Sequence, residues 1–86
     1  MANHRSAEKR VRQSLKRRER NGAVRSRVRG AVKAVRTAIA AGDGDEARSR
    51  LRAAEGLLRR AASKGVLKKQ TASRSVSRLS KAVSKV

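Results

Sequence analysis

Basic side chains are the residues of this chain best placed to do chemistry. Lysine and arginine occur 25 times in 86 residues against six acids, so the formal charge is +19. Self-repulsion of that size opposes a compact state, and an anionic polymer is the partner that would relieve it. We therefore expect a polyanion to be part of the folded state rather than an optional ligand.

Catalytic and metal-binding chemistry has few candidates. His4 is the single histidine, and no cysteine is present. The densest acidic cluster, Asp43, Asp45 and Glu46, is compatible with a divalent cation or with a helix cap. Because Asp43 followed three residues later by Glu46 is the arrangement of an N-cap with its N3 partner, capping is favoured. We expect no enzymatic activity, no cofactor and no metal, and a solvated or phosphate-facing His4.

A long first helix is expected to carry most of the cations. Apolar residues recur at steps of three and four from Val24 to Ile39, which indicates one buried helical face. Steps of seven residues from Val24 toward the N-terminus keep to the same helical face and reach Arg17 and Arg10. An unpaired guanidinium is costly in a protein core, so this part of the face is not expected to pack on protein. The pattern predicts one helix over about residues 6 to 41, packed on protein in its second half and on an anion in its first.

The first half of that helix is expected to be basic on all sides. Ser6 is the expected N-cap, and Glu8 would then lie in the first turn, where the helix dipole favours an acid. Gly22 costs about 1 kcal/mol relative to alanine inside a helix, so a bend or a fraying point is expected there.

Two shorter helices follow, each with one apolar stripe. Helix two is predicted over about residues 44 to 62 and helix three over about 68 to 84. Glycines 42 and 65 are expected to end the first two helices in a left-handed conformation. Lys68 and Lys69 are unfavourable next to the positive N-terminal end of the helix-three dipole, unless they bind phosphates. Thr71 is a candidate N-cap for this helix.

Three amphipathic helices with short turns predict an all-α protein, a single up-down-up bundle spanning residues 1 to 86. At 1.5 Å per residue the first helix is about 54 Å long and the others about 25 to 28 Å. Helix two is therefore expected to end near Val24 and helix three to return over the same part of helix one, so residues 6 to 22 are expected to protrude as a basic rod.

A basic rod without aromatic residues favours recognition of the phosphate backbone of folded RNA. Proteins that read unpaired bases use Phe, Tyr or Trp as stacking platforms, and this chain has none. A histone-like DNA-compacting protein is the alternative, although its low-complexity Lys- and Ala-rich tails are missing. A membrane-active amphipathic helix is a third possibility, disfavoured because aromatic interface anchors are absent. No membrane-spanning run or secretory signal is found, so we expect no membrane association.

Several short motifs, taken together, resemble the bacterial small-subunit ribosomal proteins of the S-twenty family over essentially the whole chain. They are Met1 through Arg10, Arg12-Gln13-Ser14, Lys16-Arg17-Arg18, Arg20-Asn21, Ser26-Arg27-Val28-Arg29, Ala41-Gly42-Asp43, Ala61-Ala62-Ser63-Lys64-Gly65-Val66, Thr71-Ala72-Ser73-Arg74 and Ser77-Arg78-Leu79. The resemblance implies a three-helix protein bound directly to small-subunit (16S) ribosomal RNA, with a structural and assembly role in the cytoplasmic ribosome. We also expect few or no protein partners and no stable homo-oligomer.

The resemblance, together with the cation pattern, nominates sixteen residues as RNA contacts. They are Arg5, Lys9, Arg10, Arg12, Lys16, Arg17, Arg18, Arg20, Arg25, Arg27, Arg29, Lys64, Lys68, Lys69, Arg74 and Arg78. Gly30 and Ser75-Val76 depart from the family pattern, in which polar or basic residues are frequent. Val76 is instead expected to complete the apolar stripe of helix three.

Overall fold

Three helices account for almost the whole chain. The computed structural model describes the backbone of residues 2 to 86 and the side chains of residues 5 to 86. The helices are α1 (Ala2–Ala40), α2 (Gly44–Ser63) and α3 (Lys69–Ser84), and no strand occurs in the part described. The predicted all-α three-helix architecture is confirmed; the expectation for His4 concerns a side chain outside the described set.

The start of α1 differs from the prediction. Helix α1 begins at Ala2, so Ser6 lies inside it and is not its N-cap, and Glu8 lies beyond its first turn. A side-chain cap requires non-helical backbone at the capping residue, and residues 2 to 5 contain no proline or glycine that would break the helix before Ser6. The helical hydrogen bonds therefore continue past the expected boundary.

Gly22 does not interrupt α1 either. The backbone stays α-helical through Gly22, and among residues 2 to 86 only Gly42 and Gly65 have a positive φ. Fraying at Gly22 is therefore not found, and the alternative of a bend there stays a prediction. A helix of 39 residues whose second half is packed can include one glycine at a cost of about 1 kcal/mol without breaking.

Both turns between helices are closed by a glycine in the left-handed conformation, as predicted. Gly42 has φ 72° and Gly65 has φ 78°. After α1 the amide of Asp43 donates to the carbonyl of Ala38 at 3.1 Å, and after α2 the amide of Val66 donates to Ala61 at 2.9 Å. These are Schellman closures, which satisfy terminal carbonyls and reverse the chain within a few residues.

Asp43 caps α2, as the sequence indicates. Its backbone is extended, and the carboxylate oxygen Oδ1 accepts a hydrogen bond from the Glu46 amide at 3.1 Å. We expect Asp43→Ala to lower the free energy of unfolding by about 1 kcal/mol, because the first turn of α2 loses this acceptor. Thermal unfolding followed by circular dichroism measures the change.

Asp45→Ala is the matched control for Asp43→Ala. The Asp45 side chain is 95% exposed and makes an ion pair with Arg48 one turn away, and exposed pairs of this kind contribute a few tenths of a kcal/mol. Equal destabilisation by the two variants would contradict the capping role of Asp43.

The start of α3 has no side-chain cap. The N-cap position is Lys68, with φ −68° and ψ 141° and no capping hydrogen bond from its side chain. Thr71 lies inside the helix, so its candidacy as a cap is wrong. The last extended residue before α3 is Lys68, and the helix begins at Lys69. Thr71 therefore already has helical backbone and cannot serve as the N-cap. Two lysines therefore lie at a helix N-terminus that contains no acid.

The core is narrow and built from small aliphatic side chains. Its largest fully buried members are Leu58, 2% exposed, and Val35, which is fully buried. The other buried core residues are Val28, Ala38, Ala47, Ala54, Ala61, Ala72, Leu79 and Val83. Val76 packs against this cluster, as predicted. Alanines at the interfaces bring the helix axes close together, but each contributes little apolar area, so the core stabilises the bundle modestly.

Helix α1 extends well beyond the two helices that pack on it. The molecule measures 63 × 21 × 13 Å, and every side chain from residue 5 to residue 20 is exposed. We refer to residues 5 to 20 as the rod. The predicted long, protruding, basic first helix is confirmed.

Candidate nucleic-acid interface

Among residues 5 to 86, the cations of the rod have no acidic partner. It contains eight lysines and arginines and two glutamates. Within residues 5 to 86, no ion pair is found for any of these eight cations; the ion pairs present all lie on α2. A surface of exposed cations that the protein does not neutralise is the form of site that binds a polyanion.

Helix α2 contrasts with the rod because its own acids neutralise much of its charge. Arg48 pairs with Asp45, Arg50 with Glu46 at 2.7 Å, and Arg59 with Glu55. Each pair is spaced three or four residues apart on one helix. Arg48, Arg50 and Arg59, which were not nominated as RNA contacts, therefore already have acidic partners. The nominated cations have no such partner among residues 5 to 86.

All sixteen nominated cations are exposed, and they fall into three groups. Eight lie on the rod, three on the second half of α1, and five on the α2–α3 turn and α3. In that order they are Arg5, Lys9, Arg10, Arg12, Lys16, Arg17, Arg18 and Arg20; then Arg25, Arg27 and Arg29; then Lys64, Lys68, Lys69, Arg74 and Arg78. None of them is in an ion pair with an acid among residues 5 to 86.

The cations of the rod are less evenly distributed than expected. In a continuous helix each residue rotates by about 100°, and seven of the eight cations then lie within an arc of about 160°. We call this arc the cation side; it contains Arg5, Lys9, Arg10, Arg12, Lys16, Arg17 and Arg20. The expectation of an all-round basic rod is therefore corrected to a two-sided one.

The opposite side of the rod has a different chemistry. It carries Arg18 as its one cation among residues 5 to 20, together with both glutamates, Glu8 and Glu19. The exposed hydrophobic residues Val11, 58% exposed, and Leu15, 52% exposed, also lie there. Apart from the guanidinium of Arg18 and the hydroxyl of Ser14, this side offers phosphates only carboxylates and an apolar patch.

Tertiary packing brings two of the nominated groups together. Arg27 of α1 and Lys64, just after α2, line a small crevice of about 70 Å³ with Val24, Leu57, Arg60 and Ala61. Arg74 and Arg78 lie on α3 and do not line this crevice. Arg60, which sequence reasoning missed, joins the two nominated cations there. Helical periodicity placed it off the apolar stripe of α2 but could not show that it approaches α1.

The acidic cluster is fully occupied by structural interactions. Asp43 caps α2, Asp45 pairs with Arg48, and Glu46 pairs with Arg50. Among the residues whose side chains are described, no group of three or more His, Cys, Asp or Glu could hold a metal ion. Over the same residues, none of the three helices has the length and apolar content needed to span a bilayer.

The fold and this surface define a class: small, all-helical, strongly basic proteins whose longest helix projects its cations outward from a modest core. The chain belongs to the family of ribosomal protein S20, whose model matches residues 2 to 84. The resemblance noted in the sequence is thereby confirmed. The protein is a constituent of the small ribosomal subunit, located in the ribosome in the cytoplasm, and the family is one of ribosomal proteins rather than enzymes.

Full-length relatives support the same assignment. The small ribosomal subunit protein bS20 of Helicobacter acinonychis (strain Sheeba) is 51% identical over 86 residues, covering 100% of this chain and 97% of the relative. The protein of the same name from Campylobacter fetus subsp. fetus (strain 82-40) is 56% identical over 84 residues, covering 98% and 96%. That of Anaeromyxobacter sp. (strain Fw109-5) is 56% identical over 86 residues, covering 100% and 96%.

Proposed function

We propose that this protein binds the 16S ribosomal RNA of the small subunit directly, through phosphate and sugar contacts, and supports the folding and assembly of that RNA. The observation that carries the proposal is the rod: exposed cations with no ion pair to an acid among residues 5 to 86, on a helix that extends beyond the core. Membership in a small-subunit protein family supports ribosomal RNA as the polyanion.

The energetics of the free protein support the same proposal. A charge of +19 on 86 residues opposes compaction, while the core contributes little apolar area per residue. Binding of the folded state to RNA neutralises the charge and stabilises the fold by mass action. Arginine side chains suit this role, because the guanidinium can donate two parallel hydrogen bonds to one phosphate.

The sixteen nominated cations are the proposed contacts, and the recognition is of shape rather than base sequence. The chain contains no aromatic residue on which a base could stack, which favours contacts to phosphate and sugar over contacts to bases. The protein is further proposed to act as a monomer with few or no protein partners.

Competition between nucleic acids tests the proposal. We expect the protein at physiological salt to protect a limited set of backbone positions on 16S ribosomal RNA. We also expect unlabelled 16S ribosomal RNA to compete far better than an equal mass of unrelated RNA duplex or of duplex DNA. Equal competition by the unrelated RNA duplex would overturn specific ribosomal RNA binding. Preferential competition by duplex DNA would instead support the DNA-compacting alternative.

A further inference from the structure

The two sides of the rod are oriented differently relative to the bundle. Val24 lies on the buried face of α1, and Arg17 and Arg10 continue that face at steps of seven toward the N-terminus. The cation side therefore faces the same way as the surface on which α2 packs further along α1. Because the side chains of residues 5 to 20 are all exposed, the space beside the cation side is open.

The end of α2 closes this space on one side and is also cationic. Its last residue is Ser63, and the crevice between α2 and α1 is lined by the cations Arg27, Arg60 and Lys64 and by no acid. The Arg60 side chain is held by a hydrogen bond from its Nε to the carbonyl of Gly56 at 3.2 Å. The rod and the end of α2 thus form a corner with basic residues on both walls.

We infer that one segment of RNA lies in this corner, with its phosphates against the cation side of the rod and against Arg60 and Lys64. The inference rests on the proposed function and specifies where the RNA lies. Arg60 becomes an RNA contact, and the opposite side of the rod, with Glu8, Val11 and Leu15, faces away from the segment. Carboxylates repel phosphates and aliphatic side chains offer them no hydrogen-bond donor, so apart from Arg18 and Ser14 that side has little with which to bind this segment.

Arg17 and Arg18 provide a matched test of the sidedness. They are adjacent, exposed and chemically identical, but Arg17 lies on the cation side and Arg18 on the opposite side. We expect Arg17→Gln to lower the affinity for 16S ribosomal RNA about five- to tenfold, the loss typical of one charge-assisted contact. It should also make the slope of log affinity against log salt shallower by about 0.7 to 0.9. Arg18→Gln should also lower affinity, because Arg18 is a proposed contact, but the protection it loses should fall outside the RNA segment that Arg17→Gln exposes.

Arg60 and Arg52 test the second wall in the same way. Both are exposed arginines of α2, and neither is in an ion pair among residues 5 to 86, but only Arg60 lines the crevice. Arg60→Gln should lower affinity by the same factor as Arg17→Gln, and Arg52→Gln less than twofold. Backbone footprinting should show that Arg17→Gln and Arg60→Gln lose protection within one contiguous segment of the folded RNA.

The outcomes separate this inference from the proposed function. If the unaltered protein prefers 16S ribosomal RNA but the Arg17 and Arg18 variants lose protection in the same RNA segment, the sidedness is overturned and the proposed function stands. If Arg17→Gln and Arg60→Gln lose protection in two distant RNA segments, the inference that one segment lies in the corner is overturned. If the unaltered protein shows no preference for 16S ribosomal RNA, the proposed function itself fails. Circular dichroism should show equal helix content in all four variants, because every substituted side chain is exposed.

Discussion

Simultaneous replacement of Lys9, Arg12, Lys16 and Arg20 by glutamine is expected to lower the affinity for 16S ribosomal RNA by two to three orders of magnitude. The four residues recur at steps of three and four on the cation side of the rod. Each charge-assisted contact contributes on the order of 1 kcal/mol net, and about 1.4 kcal/mol corresponds to a factor of ten in affinity. Removing four contacts therefore approaches a thousandfold loss.

The salt dependence distinguishes lost contacts from unfolding. With about eight phosphates neutralised, the slope of log affinity against log salt should be near −6 to −7 for the unaltered protein. The quadruple variant should have a slope about 3 units shallower, because each lost phosphate contact removes about 0.7 to 0.9. Filter binding across a series of potassium concentrations measures both quantities.

A variant of equal charge provides the control. Lys33, Arg36, Lys81 and Lys85 are exposed cations outside both the rod and the corner, and their replacement by glutamine removes the same four charges. We expect this control to lose about tenfold at most, through the weaker field alone. Equal losses in the two quadruple variants would show that total charge, not the rod, determines binding.

The helices and turns could be predicted because their signals are local. The stripe that contains Val35 in α1, the stripe that contains Leu58 in α2, and the glycines at 42 and 65 depend on periodicity or on backbone conformation within a few residues. The two wrong caps, Ser6 and Thr71, have a shared cause. A residue type suited to capping acts as an N-cap only where the backbone is not helical. The capping preference of one residue does not show whether its neighbours continue the helix.

The interface was less predictable, because it depends on relations between elements. The cation pattern and the family resemblance together nominated exposed cations on the rod, but the expectation of cations on all sides did not account for the positions of Glu19, Val11 and Leu15 on the helix. The approach of Arg60 to Arg27 has no sequence signal, since the two lie 33 residues apart and meet only when α2 packs on α1. Ion pairing on α2, in contrast, follows from spacing: Glu46 and Arg50 are four residues apart.

Leu58→Ala is expected to have the largest effect on the stability of the free protein. Leu58 is 2% exposed and is one of the two largest fully buried side chains, in a core otherwise made of valine, alanine and leucine. A buried leucine replaced by alanine costs about 2 to 5 kcal/mol, from lost transfer free energy and the remaining cavity. A chain of this length has on the order of 4 to 13 kcal/mol in total. The midpoint of thermal unfolding, measured by circular dichroism, should fall by at least about 10 °C.

Leu15→Ala makes the same chemical change on the rod, where the side chain is 52% exposed and has no core to fill. Its midpoint should move by less than about 4 °C, because exposed substitutions usually change stability by under about 0.5 kcal/mol. Saturating 16S ribosomal RNA should recover much of the loss in Leu58→Ala, since ligand at about a thousandfold excess over Kd adds about 4 kcal/mol to the folded state. Equal midpoints for the two leucine variants would contradict the expectation that burial of Leu58 stabilises the bundle. A midpoint of Leu58→Ala that RNA leaves unchanged would contradict the proposed stabilisation of the folded bundle by bound RNA.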